Sequence, residues 1–247
     1  MAVDVRALQV SSVLFFATLV RSTFGFGEAL FAVPLLVLVI PVQVAVPVAA
    51  LVSVTVALIV VMQDWNKIHA RSAGWLVLST LFGIPLGLLL LKTVAEPVVK
   101  GILGVVILTF ATYLLANRNR HELKNDRLAW IFGFSAGVLG GAYSMNGPPL
   151  VIYGSLRRWS PQHFRATLQG YFLPASLMVV VGYWITGLMT PAVTRYYLLS
   201  LPGILVAIFV GRAINHRMDA RRFLTWLHVG LAVIGAVLLV QGIRARY

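Results

Sequence analysis

Long apolar runs, separated only by short basic connectors, constrain this chain more than any motif. The stretch 199–210 contains no charged residue, and runs approaching ~20 residues match the hydrocarbon thickness of a bilayer. Hydrophobic residues fill 60% of the 247 positions and charged residues only 11%, against roughly 45–50% and about 25% in soluble domains. A soluble domain of this length needs far more polar surface to cover its core. In lipid each backbone amide must find its partner within the protein. The runs are continuous rather than alternating, so they predict helices and not the short alternating strands of a membrane barrel. The fold class expected is all-α, a polytopic integral membrane protein.

The formal charge of +13 is spread over the connectors, at Lys67 and Arg71, 118–127, Arg157 and Arg158, and 212–222. Nucleic-acid surfaces gather basic residues on one solvated face, so no nucleic-acid partner is expected. Basic connectors serve membrane topology and anionic headgroups, and they also attract an anionic solute. Lysines and arginines fall nearly evenly on the two sides of eight simple crossings, which leaves the orientation unassigned. The absence of cysteine removes disulfides, thiolate catalysis and Cys-based metal sites. The N-terminal apolar run follows Asp4 and a single arginine and lacks a clear small-residue cleavage site, so it reads as a first span rather than a signal peptide.

About eight spans are expected. The first covers 7–24 and meets a glycine break at Gly25-Phe26-Gly27, followed by a short piece at 28–40. Fuller spans follow at 42–62, 73–91 and 97–116, then a polar connector at 117–127. The second half repeats the plan. A span at 128–139 breaks over 140–149, a short piece reaches Leu156, and spans follow at 164–186, 192–211 and 223–241. Gly25 and Gly140 are 115 residues apart, as are Pro34 and Pro149; Pro41-Val42-Gln43 lies 119 before Ser160-Pro161-Gln162, and Gly83 lies 120 before Gly203. The common order of these matches argues for duplication into two pseudo-symmetric repeats, 1–116 and 128–247, each with a broken first helix. Interrupted spans in matching places of two repeats point to a transporter with its site at the breaks.

The breaks hold the expected site. Asn146-Gly147-Pro148-Pro149 reads as a helix start, with Asn at the N-cap and proline in the first turn. Helix N-termini offer unsatisfied amides and partial positive charge, hence an anion site. Gly25 and Gly27 would supply the counterpart, and Gly140, Gly141, Asn146 and Gly147 the second half. Glu28 beside the first break is costly in hydrocarbon and functional by default, either as a proton-coupling carboxylate or as the ion-pair partner of Arg21 one or two turns earlier. Arg165, suited to bidentate oxyanion binding, and the neutral donors Gln43, Gln162 and Gln169 are candidates to line the path. Arg157 and Arg158 at the same boundary, like His163, more simply face headgroups or solvent, and His228 reads as hydrogen-bonded packing.

Other chemistries fit less well. Gly133-Phe134-Ser135-Ala136-Gly137 matches a hydrolase pattern that requires a strand-to-helix elbow, yet it lies in an apolar span, where helix packing explains it. Arg21, Ser22 and Glu28 could serve an intramembrane phosphatase, but no basic cluster accompanies them. No His and acidic pair has metal spacing, so neither metal nor cofactor is expected, and no enzymatic activity. A non-transporting scaffold is the remaining alternative.

Gly25-Phe26-Gly27 through Pro34, then Pro41-x-Gln43 and Ala45, resembles the TauE/SafE sulfite exporter family. Gly137-x-x-Gly140-Gly141 through Pro148-Pro149, then Phe164-Arg165-Ala166-Thr167, resembles the second copy of the same motif. The resemblance covers essentially the whole chain. It implies a multi-pass permease of a bacterial-type cytoplasmic membrane that exports small sulfur-containing anions such as sulfite, sulfonates or sulfoacetate. Glu28-Ala29 stands where family members often carry further glycines.

Overall fold

The computed structural model describes residues 5–64, 70–116, 123, 128–157, 161–215, 236 and 240. Among them nine helices follow one another: α1 (Val5–Phe24), α2 (Glu28–Leu36), α3 (Val42–Asp64), α4 (Ala70–Thr93), α5 (Glu96–Ala116), α6 (Ala129–Tyr143), α7 (Gly147–Leu156), α8 (Pro161–Ile185) and α9 (Pro191–Asn215). The expected last span at 223–241 and nearly all of the polar connector lie outside the described residues, as do Arg158 and His228. The chain is an all-α polytopic membrane protein. Among the described residues four helices are long and apolar enough to cross a bilayer, within α1, α3, α4 and α9. Their outer faces expose large apolar side chains, among them Trp75, Phe82, Leu89, Leu198 and Phe209. So wide an apolar surface suits lipid and would drive a soluble protein to aggregate.

Two expectations about the breaks need correction. The first concerns where the second break lies. Helix α6 runs through Gly140 and Gly141 to Tyr143, so the interruption is Ser144-Met145-Asn146 rather than the glycine pair. Glycine in a membrane helix marks close helix contact as readily as a break, and contact is its role here. A methyl group on Gly141 would overlap the Ile84 carbonyl oxygen, and one on Gly137 the Thr80 carbonyl oxygen. Both clashes come from α4, whose Gly83 and Gly87 face α6 in the same way.

The second correction concerns register. The 115-residue offset read from Gly25 and Gly140 is not kept at the helix boundaries. Helices α1 and α6 end at Phe24 and Tyr143, 119 apart. Helices α2 and α7 start at Glu28 and Gly147, again 119 apart, and α3 and α8 start at Val42 and Pro161 with the same spacing. Gly25-Phe26-Gly27 therefore stands opposite Ser144-Met145-Asn146 in chain order. Proline positions mislead here because proline is tolerated inside membrane helices, and Pro34 sits inside α2.

Packing interleaves the two halves. The most extensive contacts join α4 to α6 and α1 to α9, while α8 packs on both α3 and α4. Polar side chains fasten these crossings. Thr80 Oγ1 donates to the Gly133 carbonyl at 2.9 Å and lies 2.6 Å from the Tyr171 hydroxyl, linking α4, α6 and α8. Ser11 meets Ser200 at 2.9 Å between α1 and α9, and Thr55 meets Tyr197 at 2.7 Å between α3 and α9. Tyr183 donates from α8 to the Gly140 and Gly141 carbonyls. Interhelical bonds of this kind contribute about 0.6–2 kcal/mol each. The Gly133–Gly137 hydrolase-like pattern lies within α6, without the strand-to-helix elbow its chemistry requires.

Candidate functional site

The first break owes its shape to two glycines. Gly25 (φ 83°) and Gly27 (φ 100°) both adopt left-handed backbone, which side chains with a Cβ resist. Gly25 ends α1 by donating its amide to the Arg21 carbonyl at 2.6 Å. The chain restarts when the Phe31 amide donates to the Gly27 carbonyl at 3.3 Å. The amides of Glu28, Ala29 and Leu30 precede that first helical bond and have no partner within α2. Arg21 lies in the last turn of α1 and Glu28 in the first turn of α2, where each charge opposes the partial charge of its own helix end.

Those two side chains meet. Arg21 Nη1 donates to Glu28 Oε2 at 2.6 Å, with side chains 4% and 1% exposed. The same nitrogen donates to Ser53 Oγ of α3 at 2.7 Å, and Ser53 Oγ lies 3.3 Å from Ser176 Oγ of α8. The guanidinium stacks over the Phe172 ring of α8, 5.0 Å from its centroid. Arg21 Nε and Nη2 have no hydrogen-bond partner among the described residues, and neither has Glu28 Oε1. A buried guanidinium with unspent donors is expensive, and an oxyanion is the ligand whose geometry matches them.

The second break is built differently. Ser144 holds left-handed backbone at φ 55°. Its amide donates to the Gly140 carbonyl at 2.8 Å, the single 5→1 bond of an αL helix ending, and the Met145 amide donates to the Leu139 carbonyl at 3.1 Å. Helix α7 opens on Gly147-Pro148-Pro149. Proline has no amide hydrogen, so the first turn of α7 offers fewer donors than that of α2. Asn146 adds one from its side chain, which is 4% exposed; its Nδ2 makes no short hydrogen bond among the described residues and faces the Tyr171 hydroxyl of α8.

Both breaks open on one cavity. It is lined by Arg21, Gly27, Glu28, Ser53, Asn146 and Gly147, with Phe26, Leu30, Met145, Pro148 and Phe172 as its apolar part. Its volume is about 20 Å³, room for a water molecule, which needs ~10–15 Å³. An oxyanion of several heavy atoms enters only if the surrounding helices part.

Of the residues singled out in the sequence, Gly27, Glu28, Asn146 and Gly147 line this cavity. Gly25 shapes the first break from outside the lining, Gln43 is half-buried at the start of α3, and Gly140 and Gly141 lie inside α6. Arg165 and Gln169 belong to α8, and their side chains, with those of Gln162 and His163, lie outside the described residues. Sequence reasoning named Arg21 as a partner for Glu28 and as a member of a discounted phosphatase set, not as a substrate ligand, and missed Ser53, Ser144, Met145 and Phe172. Arg21 was within reach, because a cation inside a span is a functional candidate by default. Ser53 was not, since a serine in an apolar helix is an ordinary helix-packing residue.

The family model described as Sulfite exporter TauE/SafE matches residues 10–239 of the chain. No curated protein and no solved structure matches it.

Proposed function

The chain belongs to the TauE/SafE sulfite exporter family, a family of membrane transporters for small anions, and from that premise we propose that it carries small sulfur-containing oxyanions out across the cytoplasmic membrane. Sulfite, sulfonates and sulfoacetate are the substrates in view. The observation that carries this reading is the buried Arg21 guanidinium, with two nitrogens unspent, at a cavity between two half-helix N-termini. Oxyanion oxygens would accept from Arg21 Nε and Nη2, from the first-turn amides of α2 and from Asn146 Nδ2. Glu28 is the proton-coupling group.

The halves 1–116 and 128–247, joined by 117–127, would act as two repeats in alternating access around this point. The exchange of one half for the other supports that division, because it carries the α4–α6 pair onto α9–α1, the two largest packings. Proteoliposomes loaded with labelled sulfite or sulfoacetate test the proposal. Release that requires intact protein and disappears in Arg21→Ala is expected; equal release from empty and protein-bearing vesicles overturns it. The same vesicles separate transport from chemistry on a lipid-linked substrate, which alters the lipid and releases nothing.

A further inference from the structure

Resting on the transport reading above, we infer that Glu28 is a tethered stand-in for the substrate, and that it is what lets the empty carrier recross the membrane. Arg21 and Glu28 supply the charges of the cavity lining. Of the elements packed against α2, helix α3 brings the Ser53 hydroxyl, α1 brings Arg21, and α5 brings no charged group to the lining. The second break brings Ser144 and Asn146, and α8 brings Phe172. Arg21 and Glu28 thus cancel within the site.

That cancellation matters because a net charge in a low-dielectric interior is costly to move. With Glu28 on Arg21, the empty site is neutral and its helices can rearrange without carrying an uncompensated cation. An entering monoanion that accepts from the unspent Arg21 Nε and Nη2 brings a second negative charge to the one guanidinium, whose Nη1 Glu28 already holds at 2.6 Å. Two anions against one buried cation leave an uncompensated charge, so the Glu28 carboxylate takes one proton from water on the side to which the site is open. The loaded site holds a guanidinium, one monoanion and a neutral carboxylic acid, and it is neutral again. On release the proton leaves Glu28, and the carboxylate again neutralises Arg21. Each cycle therefore moves one monoanion with one proton.

Replacing Glu28 by glutamine keeps a hydrogen-bond acceptor beside Arg21 and removes only the charge. The loaded Glu28→Gln site stays neutral, whereas its empty site is a buried bare cation. The variant should therefore exchange anions and fail at net transport. Radiolabelled methanesulfonate, a permanent monoanion, is the probe. Its entry into vesicles preloaded with unlabelled methanesulfonate reads exchange, and its entry into vesicles without it reads net flux. In Glu28→Gln the ratio of net flux to exchange should fall by roughly tenfold or more relative to wild type, following the cost of an unpaired buried charge.

A ratio equal to that of wild type overturns the inference and leaves the transport reading standing. Wild-type protein gives a second, independent measurement that needs no variant: methanesulfonate entry should alkalinise a weakly buffered exterior by one proton per anion. Entry without proton uptake overturns the inference as well. If wild type moves neither methanesulfonate nor sulfite, the transport reading itself falls, and this inference with it.

Discussion

The two breaks are alike in backbone and opposite in chemistry. Each interrupts a helix for three residues, at 25–27 and 144–146, and each passes through left-handed backbone. The first reaches that conformation with glycine, and the second forces it on Ser144. The first carries both charges of the cavity and a first turn rich in free amides. The second carries no charge, two prolines that remove amides, and the Asn146 carboxamide. One break therefore supplies the electrostatics, and the other supplies shape and a neutral donor. A site made by two similar halves need not divide its work equally.

Removing the charge from the first break should have the largest effect. Arg21→Ala strands Glu28 as a buried, unpaired carboxylate and should cost about 3–5 kcal/mol of stability, read as a fall in the thermal midpoint of the detergent-solubilised protein together with loss of transport. Arg21→Ala combined with Glu28→Ala should recover much of that stability and none of the transport. If the double variant is no more stable than Arg21→Ala, the two charges are not a pair.

The next effect falls beside the second break and should spare the site. Gly141→Ala pushes a methyl group against the Ile84 carbonyl oxygen and should cost about 1–3 kcal/mol by overpacking, with the affinity for sulfite unchanged in the surviving folded protein. A fall in affinity with stability intact would return Gly141 to the binding surface.

A smaller contrast tests the backbone at matched positions. Gly25→Ala should destabilise by roughly 1–2 kcal/mol, since φ 83° disfavours a Cβ. Ser144→Gly removes that same strain and should leave the protein as stable or slightly more so. Opposite signs in the two thermal midpoints support equivalent geometry at the two breaks, and equal signs break the comparison.

Smallest of all, Asn146→Ala should weaken sulfite binding by about 0.5–1.5 kcal/mol, the net worth of a neutral hydrogen bond, measured by titration. A loss of about 3 kcal/mol or more, the range of a hydrogen bond to a charged group, would show the second break to be more than a helper.

Much of the architecture is legible in the residues alone. The apolar runs, set by the thickness of a bilayer and the need to satisfy each amide within its own helix, anticipate as spans or short pieces the nine helices among the described residues, to within a few residues of 7–24, 42–62, 73–91 and their successors. The glycines at 25 and 27 announce the first break because their left-handed backbone is a local property. Gly140 and Gly141 do not announce the second, since whether a glycine opens a helix or admits a neighbour depends on tertiary contacts; for Gly141 the neighbour is Ile84 of α4, 57 residues earlier in the chain.

The amino-acid order by itself determined the solvent this protein lives in, its helical class and the presence of two interruptions, because those follow from runs of neighbouring residues. Only the tertiary structure decided that Arg21, Glu28, Ser53, Asn146 and Phe172 share one cavity. Their convergence depends on helices packed across the whole chain, and no stretch of local sequence contains the partner that gives a buried charge its meaning.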